Sequence, residues 1–596
     1  MRSALAAVLL PLFLLAACSA DVVEDDGATD AGAELNALFE RHFEEVLALN
    51  PVYSTFLGER RYNHLFANSI GPEHRAKSLD LTRRYLAEIR AIDPATLGEQ
   101  DRLSYEMFVS DLEREIESER FPGHLMPLNQ FYSTPNFFVQ LGSGTGAQPF
   151  ETVEDYDAFL QRIDGFLEWM AQAEVNFKEG IAQGVVLPRI LVEKTLPQLA
   201  AHVVEDPEQS LFWKPIANMP EAITGDDRER LTAAYREAIT GKLVPAYARL
   251  HDFLRDEYLP HARDTVGMNA LPDGEAWYAF NVANITTTDL TPAAIHEIGL
   301  AEVERIHGEM QAVMDEVGFD GTLREFFVFT ESDPQFFYKT GEELIQGYRD
   351  LQAVVDPLLP KLFDLMPEAN YEVRAVEPFR EQSAAGGSYM RPAPDGSRPG
   401  IFYANTYDIN ARPKWAMESL SLHEASPGHH FQLSIQQELE GLPRFRRFGG
   451  YTAYTEGWGL YAETLGKELG VYTDPYQYYG ALSAELWRAI RLVVDTGLHH
   501  HGWTREQVLA YMDENSATAP ARAIAEAERY IAIPGQALAY KIGQLKITAL
   551  RERAEAALGD RFDVRAFHTE VLEGGALPLD VLETKIDRWI DEVKST

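Results

Sequence analysis

The sequence predicts a mainly α protein with one small β-sheet, and three observations support this fold class. Apolar residues recur at helical spacing along most of the chain. Start and stop signals flank these runs, as in the run that begins with Thr291 and Pro292 and ends at Gly318. Only residues 370–408 depart from this pattern, because short extended runs there surround the turn-forming sequence PDGSRPG. We therefore expect a small sheet with a hairpin directly before the segment SLHEASPGHHFQL, residues 421–433.

The N-terminus is typical of a bacterial lipoprotein. The apolar run within residues 1–17 is too short for a comfortable membrane span and indicates a signal peptide. It ends in LAAC, which resembles a lipobox and predicts lipidation of Cys18, while residues 18–32 are acidic and unpatterned like a flexible tether. These features predict a lipid-anchored protein of the bacterial cell envelope that faces the periplasm. Ser19, in place of an aspartate, favours the outer membrane.

The charge and the cysteine count exclude several functions. There are 93 acidic and 53 basic residues, which gives a net charge of −40. Such a surface repels nucleic acids and anionic membranes, so we expect only the N-terminal lipid to contact a membrane. Cys18 is the single cysteine, which excludes a disulfide within the chain, a cysteine nucleophile and a set of thiolate metal ligands. No GxSxG, GxGxxG or GxxxxGK(S/T) motif occurs, so neither a serine nucleophile of that type nor a nucleotide cofactor is expected.

A domain boundary is predicted between about residues 260 and 275, where turn formers accumulate. It would separate an N-terminal helical region, residues 33–270, from a C-terminal region, residues 271–596. The residues that carry chemistry all fall in the C-terminal region, so we expect it to be the catalytic part.

The pair His423 and Glu424 begins like the metal-binding helix of a zinc hydrolase. The pair ends an apolar stripe, which predicts that both side chains point inward and need partners there. A second histidine should follow three residues after the glutamate, but a proline occupies that place. His429 and His430 lie about 9 and 10.5 Å further along a continuous helix, too far for one small ion. Because proline and glycine interrupt helices, we hypothesise a bulge over residues 426–428 that returns one of these histidines to the metal.

Residues further along the chain can complete such a site. The helix predicted over 451–470 carries Glu456, a suitable third ligand, and Glu463 two turns later, which would orient a ligand or itself bind the metal. Tyr540 and His499 are candidate donors to the oxyanion of a hydrolytic intermediate. Asp495, four residues before His499, is placed to hold its imidazole.

Several motifs together resemble one bacterial family. HEASPGHH is followed by YTEGWGLYAE, VVDTGLHHHGWTREQ and YKIGQLKI, and the set is similar to the family catalogued as domain of unknown function 885. The similarity runs from about residue 400 to 575 and extends back to TTTDLTPAAIHEIGLAEVERI. The family itself resembles the glutamate-ligand zincins, mostly helical peptidases that hold zinc with two histidines and a glutamate.

The resemblance implies a zincin-like fold, one Zn²⁺ per chain and a role for each motif residue. By this resemblance His423, His429 and Glu456 bind zinc and Glu424 is the general base. A histidine directly after glycine is the ligand in related helices, which favours His429, with His430 as the alternative ligand or a neighbour of the substrate.

These observations predict a zinc-dependent hydrolase, most simply a metallopeptidase that cleaves peptides, or another amide, in the cell envelope. Zinc lowers the pKa of a bound water and polarises a carbonyl group, and a neighbouring glutamate can move the water's proton to the leaving amine. The alternative is a non-catalytic envelope lipoprotein that binds metal or acts as a scaffold.

Overall fold

The structure, a computed structural model, describes residues 30–377, 381, 384–393, 396 and 398–595. The signal peptide, Cys18 and most of the tether expected at 18–32 lie outside the described residues. The first helix begins at Asp30, so the last three residues assigned to the tether are helical instead.

The predicted mainly α fold is confirmed. The α-helices of the described residues, in chain order, are α1 Asp30–Leu49, α2 Pro51–Phe56, α3 Pro72–Ile89, α4 Glu99–Ser118, α5 Thr134–Gly142, α6 Val153–Gln183, α7 Arg189–Ala200, α8 Lys214–Ala217, α9 Gly225–Ala238, α10 Val244–Phe253, α11 Gly274–Thr286, α12 Pro292–Val317, α13 Leu323–Ser332, α14 Gly341–Val355, α15 Met417–Glu424, α16 His429–Glu438, α17 Arg444–Phe448, α18 Thr452–Thr464, α19 Gly466–Leu469, α20 Pro475–His499, α21 Arg505–Asn515, α22 Pro520–Ala532, α23 Ala539–Leu558, α24 Val564–Leu572 and α25 Leu579–Ser595. Within this described part of the chain, no helix is both long and apolar enough to span a bilayer.

Helix α12 shows how local signals set helix ends. The side chain of Thr291 accepts a hydrogen bond from the backbone N–H of Ala294, and Pro292 occupies the first helical position. Gly318 ends the helix with a φ of 68°, the left-handed conformation that favours glycine. Both predicted ends are therefore confirmed.

The expected small sheet precedes α15 and has three strands in the order β1–β3–β2. Its strands are β1 Tyr371–Ala375, β2 Gly387–Met390 and β3 Gly400–Ala404. The central strand β3 is buried along its whole length, pairs in parallel with β1 and forms the predicted antiparallel hairpin with β2. The sheet packs against α15 and α16, which places it beside the HEASPGHH segment.

The helices pack around two large hydrophobic clusters. The first contains residues such as Phe166 of α6 and Leu486 of α20, and the second joins Met107 of α4 to Trp458 of α18. Each cluster combines residues from before and after 270, so the core does not divide at the predicted boundary. The most extensive helix contacts join α12 to α20 and α18 to α23, and these pairs form the frame of the site.

Candidate metal centre

The HEASPGHH segment contains the helix interruption that its sequence predicts. Helix α15 ends at Glu424 and α16 begins at His429, with non-helical backbone at Ala425 and Gly428. A Cβ atom at Gly428 would lie 2.0 Å from the carbonyl oxygen of His423, so only glycine fits this close approach. The interruption brings the rings of His423 and His429 to a centroid separation of 4.6 Å.

His423, His429 and Glu456 form a group that could hold a metal ion, here called the metal trio. Oε2 of Glu456 lies 3.5 Å from Nε2 of His423 and 3.4 Å from Nε2 of His429, and the ligand atoms all lie within 4.8 Å of one another. Ligand atoms about 2.0–2.1 Å from one tetrahedral ion are roughly 3.3 Å apart, which matches these separations. Two imidazoles and a carboxylate are also a donor set that suits zinc, so these residues fit the ion that the sequence predicts.

The electrostatics of the metal trio favour positive charge between its members. Burial opposes the charged form of each group, yet the carboxylates of Glu456 and Glu463 raise the pKa of His423 to about 9. Burial would likewise raise the pKa of Glu456, but hydrogen bonds with both imidazoles hold that pKa well below its usual range. A bound cation would satisfy the same carboxylates.

Glu463 fixes the orientation of the His423 ring. Its Oε1 atom lies 2.8 Å from Nδ1 of His423, while the hydroxyl of Ser419 donates to Oε2 of the same carboxylate. Arg488 lies 3.5 Å from Oε1 and balances part of the charge. Because Nδ1 of His423 contacts Glu463, Nε2 of the same ring faces Glu456. Of the two roles predicted for Glu463, metal ligand or orienting residue, its position fits the orienting one.

His430 lies outside the metal trio. The hydroxyl of Tyr389 on β2 lies 2.8 Å from Nδ1 of His430, and the imidazole packs against the ring of Tyr371 on β1. Burial lowers the pKa of His430 to about 4, so the ring is neutral and part of the packing beneath the sheet. Of the two candidate ligands, only His429 therefore reaches Glu456.

Glu424 is the last residue of α15 and directly follows His423. Its side chain is 9% exposed, and the described residues provide no hydrogen bond or ion pair to its carboxylate. Burial raises the pKa of Tyr348, and the charge of Glu424 adds to this rise, which places the carboxylate near the face of α15 that packs on α14. A carboxylate with open acceptor positions next to a metal ligand suits the role of a general base.

Tyr540 lies near the metal trio at the start of α23. Its pKa is raised by burial and by the negative charge of Glu456, so its hydroxyl is within electrostatic reach of that ligand. The guanidinium of Arg491 lies 4.6 Å from the centroid of the Tyr540 ring. The side chain remains partly exposed, which leaves its hydroxyl available as a hydrogen-bond donor.

The structure assigns His499 a packing position that leaves no donor for an oxyanion. Its Nδ1 accepts the backbone N–H of Met268 at 3.1 Å, and its Nε2 lies 3.0 Å from the carbonyl oxygen of Tyr530. The ring is fully buried, and burial lowers its pKa to about 3. Asp495 does not hold this imidazole as expected, because its carboxylate accepts hydrogen bonds from the hydroxyl of Tyr278 and the N–H of Gly535.

Sequence reasoning missed the basic residues beside the metal trio. Arg488 and Arg491 are three residues apart on α20, and both lie close to residues that contact the trio. The signal was present, since two arginines interrupt the otherwise apolar run AELWRAIRLVV. Charged side chains on such a helix are buried only where hydrogen-bond or ion-pair partners are present.

Comparisons with known proteins agree with this fold. A crystal structure described as the "putative lipoprotein" from Colwellia psychrerythraea has 30% sequence identity and a TM-score of 0.85, with 95% of this chain and 100% of that chain covered. A "putative lipoprotein of unknown function" from Shewanella oneidensis has 18% identity and a TM-score of 0.73, covers 92% and 99% of the two chains, and supports the fold alone. Among curated proteins, none matches the sequence. Residues 51–586 match the family described as bacterial protein of unknown function, DUF885, and the chain therefore belongs to this family.

Proposed function

We propose that this protein is a zinc-dependent hydrolase, most simply a metallopeptidase that cleaves peptides in the bacterial cell envelope. The observation that carries the proposal is the metal trio, in which Nε2 of two histidines and one carboxylate oxygen converge, with Glu424 directly following His423 in the chain. By contrast, His430 and Asp495 lie outside the metal trio, and each hydrogen bonds to a tyrosine hydroxyl. Three metal ligands with an adjacent carboxylate are the pattern of a catalytic zinc site.

The chemistry follows from the residues around the metal trio. When bound, zinc would polarise the substrate carbonyl and acidify water. Glu424 accepts a proton from the attacking water, whose oxygen bonds to the carbonyl carbon. Tyr540 donates a hydrogen bond to the oxyanion that develops. As the carbon–nitrogen bond breaks, Glu424 passes its proton to the leaving amine, which balances the reaction.

A peptide substrate is supported by the sheet beside the site. Strand β2 is an outer strand, and among the described residues its only strand partner is β3. An extended peptide can add to such an edge through main-chain hydrogen bonds. The same edge packs against α15, so a bound peptide would pass close to Glu424.

The location follows from the N-terminal sequence and the similar structures. The structural relative with 30% identity is described as a "putative lipoprotein", and residues 1–17 of this chain have the pattern of a signal peptide, followed by Cys18 at the lipobox position. We infer that Cys18 carries the lipid and that the helical body faces the periplasm, anchored in the outer membrane.

The first test is elemental analysis of the purified full chain together with a peptide-hydrolysis assay. We expect about one zinc per chain, loss of zinc in His423→Ala, and retained zinc without hydrolysis in Glu424→Gln. Glu418→Gln is the matched control, because Glu418 lies on the same helix but hydrogen bonds to Gln477. Absence of metal after zinc addition would refute the hydrolase and leave a scaffolding lipoprotein, while zinc without hydrolysis would leave a metal-binding one.

A further inference from the structure

Four arginines lie together on one side of the metal trio and are here called the arginine cluster. They are Arg488 and Arg491 on α20 and Arg522 and Arg529 on α22. Such a concentration of positive charge is unusual in a protein with a net charge of −40.

The arginine cluster is connected to the metal trio by two contacts. Arg488 lies 3.5 Å from the carboxylate of Glu463, which in turn holds His423. Arg491 lies over the ring of Tyr540, whose hydroxyl is in the field of Glu456. The cluster is therefore one side chain away from His423 on the first path, and on the second path it contacts Tyr540.

Among the described residues, the charges of the arginine cluster are only partly balanced by carboxylates. Glu526 is shared between Arg491 and Arg529, each with a 3.1 Å contact, and also accepts the hydroxyl of Tyr530. Arg522 has no hydrogen bond or ion pair among the described residues, and the nearby carboxylate of Glu331 acts on it only at long range. By contrast, Arg553 on α23 has a carboxylate for each of its terminal nitrogens, Asp587 and Glu583.

Two arginines of the cluster have open donor positions. Nη1 of Arg491 is buried without a hydrogen-bond partner among the described residues, and the residue as a whole is only 8% exposed. The side chain of Arg522 is exposed, yet burial and its neighbours Arg488 and Arg491 lower its pKa, although Glu526 opposes them. An unpaired buried guanidinium nitrogen is costly unless a ligand completes it.

We propose that the arginine cluster binds a carboxylate of the peptide substrate next to the scissile bond, which makes the enzyme an exopeptidase that acts at the C-terminus. This inference rests on the proposed hydrolase function. Arginine binds carboxylates through paired, charge-assisted hydrogen bonds, and Arg491 and Arg522 supply the open donors. Consecutive Cα atoms are about 3.8 Å apart, so a carboxylate one residue beyond the cleaved bond lies close to the metal trio, as the cluster does.

The hydrolysis test compares three peptides with the zinc-loaded full chain. They are N-acetyl-Ala-Ala-Phe with a free carboxylate, the same peptide as its C-terminal amide, and the amide with glutamate in place of phenylalanine. We expect kcat/KM for the free acid to exceed that for the phenylalanine amide by about 100-fold. Rapid cleavage of the glutamate amide would identify a side-chain carboxylate as the group bound, whereas slow cleavage identifies the terminal one.

The variants Arg491→Gln and Arg522→Gln test whether the arginine cluster causes the preference. Each should lower the ratio of kcat/KM for the free acid to kcat/KM for the phenylalanine amide by about tenfold or more. Arg553→Gln, a fully paired arginine, should behave like the wild type. Arg522 is exposed, so its variant keeps the test valid if Arg491→Gln does not fold. Equal cleavage of acid and amide by the wild type, or an equal loss for both in Arg522→Gln, would overturn the proposal.

A binding measurement separates this proposal from the proposed function. Calorimetry with Glu424→Gln, which should not hydrolyse peptides, is expected to show the acid binding at least about tenfold more tightly than the amide. In the double variant Glu424→Gln with Arg522→Gln, the acid and the amide should bind with equal affinity. Arginine-dependent binding without hydrolysis by any form would refute the hydrolase and support the carboxylate site. Hydrolysis without a carboxylate preference would support the hydrolase and refute the carboxylate site.

Discussion

Nδ1 of His423 lies 2.8 Å from Oε1 of Glu463, forty residues further along the chain. This contact fixes the ring so that its other nitrogen faces Glu456. A carboxylate on the outer nitrogen of a metal-binding imidazole raises the basicity of the ligand and restricts its rotation.

Glu463→Gln is therefore expected to weaken zinc binding by about 10- to 100-fold without removing a ligand. Competition with a chelator of known affinity measures the change. Glu468→Gln is the control, because Glu468 pairs with Arg551 on the surface and should retain wild-type affinity. Unchanged affinity in Glu463→Gln would show that the orientation of His423 does not depend on this carboxylate.

The two adjacent histidines should respond oppositely to truncation. His429→Ala removes a member of the metal trio and should abolish stoichiometric zinc binding. His430→Ala should retain zinc but lower the free energy of unfolding by about 1–3 kcal/mol, because it removes a buried ring and the nearer hydrogen-bond partner of the half-buried Tyr389 hydroxyl. Elemental analysis and denaturant unfolding distinguish these outcomes. Zinc loss in His430→Ala alone would reverse the ligand assignment.

Gly459 on α18 leaves space for the His423 ring. A Cβ atom there would lie 2.8 Å from Cε1 of that ring, closer than real contacts allow. Gly459→Ala should displace the ring and weaken zinc binding by at least about tenfold, since misplaced ligands bind poorly. Gly308→Ala is the matched control, because its Cβ would meet open space in α12 and should stabilise that helix by up to about 1 kcal/mol.

Tyr540→Phe removes only the hydroxyl that would stabilise the oxyanion. We expect kcat for peptide hydrolysis to fall by about 10²- to 10³-fold while zinc content and KM change little. The same substitution at Tyr476, a partly buried tyrosine at the start of α20, serves as the control. Equal rates for Tyr540→Phe and the wild type would exclude Tyr540 as the donor.

Asp495 should make stability fall as pH rises. Burial raises its pKa to about 7 in the folded protein, whereas the unfolded value is near 3.8. Between these values the folded state keeps a proton that the unfolded state releases, so the free energy of unfolding declines as pH increases from 4 to 7. Asp495→Asn cannot ionise at this position. Its melting temperature minus that of the wild type should therefore be higher at pH 8 than at pH 5. An equal difference at both pH values would contradict this prediction.

Local signals explain which features were predictable. The ends of α12, the hairpin of β2 and β3, and the interruption between α15 and α16 all depend on residues within a few positions of one another. Capping side chains, turn sequences and proline act over this short range. The family assignment was also predictable and is confirmed, because its motifs are continuous in the sequence.

The predictions that failed or stayed open depended on distant partners. Asp495 was expected to hold His499 because the two are one helical turn apart, but each is satisfied by residues from other elements. The choice between His429 and His430 also depended on packing, since Tyr389 engages one and Glu456 the other. The zinc ion and the catalytic roles remain predictions.

By itself, the sequence determined a helical protein of one bacterial family with a lipoprotein-like start, a small hairpin and an interrupted HEASPGHH helix. Only the tertiary structure decided which side chains meet: Glu456 with two histidines, Glu463 behind His423, and four arginines beside them. The physical reason is that helix periodicity shows which face is buried but not what it is buried against. Partners for buried charges come from helix packing, which joins residues far apart in the chain.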